Sequence, residues 1–498
     1  MKPRSQGARA ENGAAQVVPY GTVTLARVRK SSSRKSRRRA PTVRRSAPSF
    51  PSLDELYAEG KLLRDKCPRQ SHAVWRPPHD RPDPVALVKG SSQGRIPRLI
   101  PLRHGRMLQS PFTFYRGAAL NMAADLARTP ATGLRVQACG DCHLLNFGLF
   151  ATPERREIFD INDVDETLPA PWEWDVKRLA ASFVLACRDN GFGDGCARDA
   201  ALACVRSYRR HMAKFSEMTA LDVWYSSIEI EDLLPRIKDE QTRKRLQKRL
   251  AATRHSGVQE HHFPALAQVA GQAPTIKDEP PLIYHWRKRG DEKFSKAAQA
   301  AYAAYRKTLE NDRRLLLNRF QLRDVAIKVV GVGSVGTWCG IALLLAGEQD
   351  SLFLQIKEAG PSVLEPYAGK SLFPNHGQRV VNGYRLIQSA SDMFLGWMVG
   401  PEGRHFYVRQ LRDMKIKILV EVFNRNTMMQ FAKLCGWTLA RAHARSGEPA
   451  KITGYLGRSD KFDQAVADFS LAYADQTEHD HKVLLKAVRD GKMEALLD

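Results

Sequence analysis

Asp141 and Asn146 stand five positions apart in Gly140-Asp141-Cys142-His143-Leu144-Leu145-Asn146, a spacing that suits phosphoryl transfer. That reaction needs a carboxylate beside the incoming hydroxyl and oxygen ligands for magnesium across the β- and γ-phosphates. One short loop with this spacing presents Asp141 as the base and Asn146 as a metal ligand to the same phosphate. The acidic run Phe159-Asp160-Ile161-Asn162-Asp163-Val164-Asp165-Glu166 comes next. Asp160 is expected to be the second metal ligand, with Asp163 or Asp165 able to take its place. The run is no calcium loop, because it lacks glycine at its sixth position and glutamate at its twelfth. Taken alone, it fits a solvated loop as well as a site.

A second group lies downstream. Gly331-Val332-Gly333-Ser334-Val335-Gly336 follows the strand-like run Val325–Val330. Such glycines serve two machines: a helix opening that holds a dinucleotide pyrophosphate, or a hairpin turn over ATP phosphates. Thr337–Leu345 has aromatic and β-branched residues and no capping signal, so a strand and hence a hairpin is expected. After a turn at Gly347–Asp350, a third strand ends in Gln355-Ile356-Lys357-Glu358-Ala359. Lys357 would then neutralise phosphates, and a glutamate would hold it, Glu365 first and Glu358 second.

These residues need a scaffold, and the pattern is α+β. Trp172–Asp189 carries Val176, Leu179, Ala180, Phe183 and Val184 at helical spacing, and Arg198–Phe215 reads as its antiparallel neighbour. Shorter elements precede them: a helix at Leu53–Cys67, one helix over about Gly117–Ala127, and strands at Leu134–Ala138 and Glu157–Asp160. The stretch 230–320 is charged and mostly helical. Strand-like runs follow, with Arg379–Gln388 and Phe406–Gln410 as later members, and helix returns over Asn426–Arg445. Helices, then a β-rich insert, then helices is segregation rather than alternation.

The net charge is +25, and residues 1–48 contribute about half of it, with thirteen Lys/Arg against the single acid Glu11. Low in apolar periodicity, this arm is expected to be disordered and available to nucleic acid or another polyanion. No apolar run approaches the roughly 18 residues of a membrane span. The eight cysteines are scattered, several within apolar helical patterns, which suits reduced thiols in a cytoplasmic protein. Cys139-Gly-Asp-Cys142 is formally a redox or metal pair, without a second pair nearby.

The loop at 139–146 resembles the aminoglycoside and choline kinase branch of the protein-kinase-like superfamily, which reads roughly His-Gly-Asp-x-His-x-x-Asn. Cys139 departs from it at the first position. Trp174-Asp175 is similar to the pair that opens a helix under that loop, which implies that Asp175 accepts loop N–H bonds. In ordinary kinases the glycine loop and lysine come first, whereas here they come second. Phe431–Arg445 resembles the helix that normally runs straight into the catalytic loop, so a circular permutation is implied. Over residues 95–450 the chain is also similar to the bacterial family known as domain of unknown function 2252. The stretches that carry this are His104–Met107, Ser110–Gly117, Gly140–Gly148, Asp160–Glu166, Pro171–Ser182, Gln355–Ala359 and Ser389–Trp397.

The fold expected is thus two-lobed, protein-kinase-like and circularly permuted, with a mainly helical large lobe and a small β-rich lobe. Its parts would be a basic arm 1–48, a Pro-rich connector 49–97, a helical lobe 98–315, a nucleotide-binding lobe 316–415 and closing helices 416–498. The resemblance implies ATP with Mg²⁺ and transfer of phosphate to an unidentified hydroxyl acceptor. Asp141, Asn146 and Asp160 would be catalytic; Asn146, Asp160 and Asp163 would hold metal. Gly331, Gly333, Ser334, Gly336, Lys357 and Glu365 would hold the nucleotide. Arg103, Arg106 and Arg116 would bind an anionic substrate or pair across the lobes. The competing readings are a nucleotide-binding pseudokinase and a nucleic-acid-binding protein driven by the arm.

Overall fold

A run such as Cys339–Ala346, apolar at nearly every position, belongs in the middle of a sheet covered on both faces. The computed structural model describes residues 50–237, 239–255, 266–270, 273–285, 292–329, 331–347, 350–411, 416 and 418–497. The basic arm lies outside them; Pro51–Asp498 form one compact unit.

The fold is α+β and mostly helical. Before the first long helix come β1 (Arg135–Ala138), β2 (Phe147–Ala151), β3 (Glu157–Ile161) and β4 (Leu168–Pro171). β1 pairs with β4, and β2 with β3, each antiparallel. A small ribbon, β5 (Ala267–Ala270) with β6 (Ala273–Ile276), interrupts the stretch that composition marks as helical. The main sheet contains β7 (Ile283–Tyr284), β8 (Gln321–Lys328), β9 (Cys339–Ala346), β10 (Asp350–Glu358), β11 (Gly396–Val399) and β12 (His405–Gln410). Its order is β11-β12-β10-β9-β8-β7, antiparallel throughout. Tyr305, Leu344, Leu352 and Phe406 pack on one face, and Ile341, Leu343 and Phe353 on the other.

Between β10 and β11 lies the helix His376–Ile387, where β-branched content suggests a strand. Val380, Val381, Tyr384 and Ile387 are buried at helical spacing, and the Asn375 side chain caps the first turn. The helix expected over about 117–127 is Ala119–Leu126, and the residues leading into it form a further helix, Pro111–Gly117, separated from it at Ala118. The segment read as a connector contains helix Leu53–Lys66, which lies so close to Pro449–Leu456 that a Cβ on Gly60 would meet the Lys451 carbonyl oxygen at 2.0 Å.

Helices Trp172–Asp189, Asp194–Ser216, Arg425–Ser446 and Lys461–Arg489 form the main core, with Leu179, Phe183, Leu439 and Phe469 buried together. Trp172 stacks on Tyr208 with ring centroids 5.7 Å apart. Gly436 lets the helix Arg425–Ser446 approach its neighbour, because an added Cβ would lie 2.1 Å from the Cys204 carbonyl oxygen. Gly436→Ala is therefore expected to cost about 1–3 kcal/mol in urea unfolding, through overpacking against backbone. Gly195→Ala, in a helix and with open space around it, should instead be neutral or stabilising.

Candidate active site

The Gly140–Asn146 loop leaves β1 and is held from below. The backbone N–H groups of Cys139 and Gly140 donate to Asp175 at 2.6 and 3.1 Å. Asp175 sits in the first turn of Trp172–Asp189, and His443 Nε2 lies 3.2 Å from it, with the other ring nitrogen 2.9 Å from the Tyr208 hydroxyl. Gly140 is required: its φ is +81° and a Cβ would meet the Glu166 carbonyl oxygen at 2.4 Å.

Asp141 keeps a part-exposed carboxylate, 23% accessible. Arg178 Nε donates to its Oδ1 at 2.9 Å, and Nη2 bonds the same oxygen. The other oxygen faces His143 Nε2 at 3.9 Å. Burial drives the His143 imidazole down to about 4, with Arg116 and Arg178 adding to the effect and Asp141 opposing it, so the ring is neutral at pH 7. Asn146 donates from Nδ2 to the Asp141 carbonyl at 2.8 Å, which makes its Oδ1 the atom that remains for a cation. The Asn146 carbonyl accepts from Asn162 N at 2.6 Å, so the loop and the acidic run are stitched together.

Within that run the roles differ from expectation. Asp160 is 0% exposed, and both oxygens are engaged. Arg441 Nη2 is 2.6 Å from Oδ1, while Ser389 donates to Oδ2 from its backbone N–H at 2.8 Å and its hydroxyl at 2.9 Å. A carboxylate so enclosed is structural, and a metal has no access to it. Asp163 and Asp165 are the accessible acids, at 35% and 30%. Lys357, from β10, reaches them at 3.3 and 2.5 Å. Burial disfavours the lysine charge, but the two carboxylates outweigh it and raise its pKa. Burial likewise opposes the Asp163 charge, yet Lys357 and Arg409 hold its carboxyl well below the usual range. Burial, with Asp163 next door, pushes Asp165 upward. Tyr407 donates to Asp165 at 2.5 Å, and Arg409 donates to the Asn162 carbonyl at 3.0 Å.

Neither glutamate proposed for Lys357 reaches it. Glu365 accepts from Ser362 N at 3.2 Å and faces His376, and Glu358 pairs with Arg404 at 2.6 Å. The counterions come instead from nearly two hundred positions upstream.

The glycines 331–336 do turn a hairpin, between antiparallel β8 and β9, with Gly331 and Gly336 at φ of +71° and +86°. The loop is anchored rather than open. Val332 packs with Met107, Phe114 and Leu484, and Val335 with Ile96, Leu99 and Leu102. Arg106 donates to the Gly331 carbonyl at 2.7 Å and Arg95 to the Val335 carbonyl at 2.6 Å. Ser334 accepts from Thr337 N at 3.2 Å. A Cβ on Gly333 would sit 3.2 Å from the Arg116 carbonyl oxygen, and the Arg116 guanidinium, depressed by burial, is supported by Asp141. Arg103 is buried among Ser91, Ser92 and the Gly117 carbonyl, a structural post.

Cys139 and Cys142 are buried free thiols whose sulfur atoms, with a carboxylate oxygen of Asp175, lie within 4.8 Å of one another. The hydrogen bond with Cys142, and then burial, raises the Cys139 thiol, and burial pushes Cys142 up to about 12.

Arg178, Arg409, Arg441, Tyr384 and Tyr407 escaped the sequence reading. Arg178 had a signal, since it follows Asp175 by three positions on one helix face and so must meet the same loop. The chain belongs to the bacterial family described as "Uncharacterized protein conserved in bacteria (DUF2252)", whose match covers residues 95–487. No curated protein and no solved structure matches it. Among the described residues, no helix is long and apolar enough to cross a membrane.

Proposed function

We propose that the protein is an ATP-dependent phosphotransferase of protein-kinase-like, circularly permuted architecture, acting on a hydroxyl acceptor. The observation that carries this reading is the meeting of Lys357 with Asp163 and Asp165 beside the Asp141–Asn146 loop. A glycine loop between two strands, a lysine on the third and a helix after it is the arrangement that grips ATP phosphates in kinases. Permutation is supported by the helix Arg425–Ser446, which meets the catalytic-loop region through Arg441 to Asp160 and His443 to Asp175.

Asp141 would orient or deprotonate the hydroxyl, with Arg178 fixing its direction. Asn146 and Asp163 would hold Mg²⁺, which supplies charge neutralisation across the phosphates. Asp165 stands in reserve, and Lys357 would exchange a carboxylate for phosphate oxygens. The anchored glycine loop and the missing glutamate at Lys357 favour one rival, a nucleotide-binding pseudokinase. The basic arm keeps a polyanion partner open for either.

Calorimetry with and without Mg²⁺ tests the reading. Wild type should bind ATP only with the metal, and Asp163→Ala should weaken that binding at least tenfold while leaving thermal stability near wild type. ATP affinity indifferent to both Mg²⁺ and Asp163 would remove the proposal.

A further inference from the structure

Away from this site the molecule contains a cavity of about 600 Å³, within the roughly 300–1,000 Å³ range of small-molecule sites. Its walls come from the β2–β3 hairpin, the helices Glu240–His255 and Arg425–Ser446, and the short helix Ile230–Leu233. Leu149, Phe159, Leu233, Leu246, Phe431 and Trp437 give it an apolar lining. It opens to solvent on the side of the exposed Arg245, Lys248 and Lys433, so a ligand can enter it from the surface. Water gains little there, because an apolar cavity offers few hydrogen-bond partners.

Among the described residues, the charged side chains that line the cavity, Arg245, Lys248, Arg249 and Lys433, are all basic, and Asp239 lies within electrostatic reach of Arg245. His211 is stacked on Trp437, with centroids 4.9 Å apart, at the side where an adjoining hollow begins. That hollow shares Ser207, His211 and Lys433 with the cavity and adds Arg206 and Arg210, with Asp199 as its single acid. An apolar chamber with a cationic rim is complementary to a tail bearing an anionic head.

We propose that this cavity binds a single-chain amphiphilic anion, a long-chain acyl carboxylate. Its tail lies against Leu233, Leu246 and Phe431, and its head meets Lys433 and Arg245. Taking a methylene at roughly the 30 Å³ of a water molecule, a tail of fourteen to eighteen carbons fills about 400–550 Å³. One such chain fits.

The test is calorimetric titration of the full chain, stripped of lipid on a hydrophobic resin, with octanoate, decanoate, dodecanoate and tetradecanoate below their micelle concentrations. Saturable one-to-one binding is expected, strengthening about fourfold per added methylene until the cavity is full. Leu246→Trp, which fills the chamber, should weaken tetradecanoate at least tenfold with the far-ultraviolet dichroism unchanged. Lys433→Glu, at an exposed position, should weaken tetradecanoate but leave tetradecanol unaffected. No saturable binding, or binding indifferent to Leu246→Trp, would overturn the site; it would also leave a segment of this chain as the occupant. Equal affinity for tetradecanol and tetradecanoate would overturn the anionic head.

Discussion

Asp160→Ala is expected to lower unfolding free energy by about 3–5 kcal/mol, measured in urea at pH 7, the usual cost of stripping one partner from a buried ion pair. Arg441 explains the size. Its side chain is 1% exposed, and Nη2 carries the contacts to Asp160 and to the Ile387 carbonyl at 2.8 Å. Its Nε and Nη1 already have no hydrogen-bond partner among the described residues, so nothing there takes over when the carboxylate goes. Ser389 would lose both of its bonds to the same group. Combining Asp160→Ala with Arg441→Met should recover at least 1 kcal/mol, because the stranded charge is then gone. A variant that unfolds like wild type yet loses metal-dependent ATP binding would return Asp160 to the metal site.

That Asp160 is structural was not readable from the chain. β2 and β3 form a hairpin buried at every position, so there is no polar-apolar alternation to show which way a carboxylate points. Its partner lies 281 positions away in sequence. The same distance hides the pairing of Lys357 with Asp163, 194 positions apart. Local signals fared better. The helix Trp172–Asp189 is legible because apolar residues recur at its period, and β9 because an eight-residue apolar run has one stable home. Gly331 and Gly336 announced a hairpin because the following residues are poor helix openers. His376–Ile387 misled because valines and a tyrosine score as strand, while the Asn375 cap and the helical burial period decide otherwise. The spacing of Asp141 and Asn146 survives folding as one loop because Asp175 pins its start and Asn162 pins its end. What sequence could not supply was the set of arginines that aim these groups.

Arg178 makes the chemical prediction sharp. Two of its nitrogens fix one Asp141 oxygen, leaving the second directed to His143 and solvent. If Asp141 is the base, Asp141→Asn should keep the loop and the Arg178 contact in shape. It should leave Mg-ATP affinity within about twofold and cut phosphate transfer by about a hundredfold or more. Arg178→Ala removes the aim but not the carboxylate, so transfer should fall by less than in Asp141→Asn. The salt dependence of the remaining rate should rise, because Asp141 would then be held only by weaker, partly solvated charges. The measurement is ATP affinity by calorimetry beside phosphate release or autophosphorylation for wild type and both variants. A wild type that binds Mg-ATP yet turns over no faster than Asp141→Asn, across a broad panel of hydroxyl acceptors, would transfer the site to the pseudokinase reading. In that outcome the Lys357–Asp163 pair would keep its nucleotide role, and the loop would survive only as its frame.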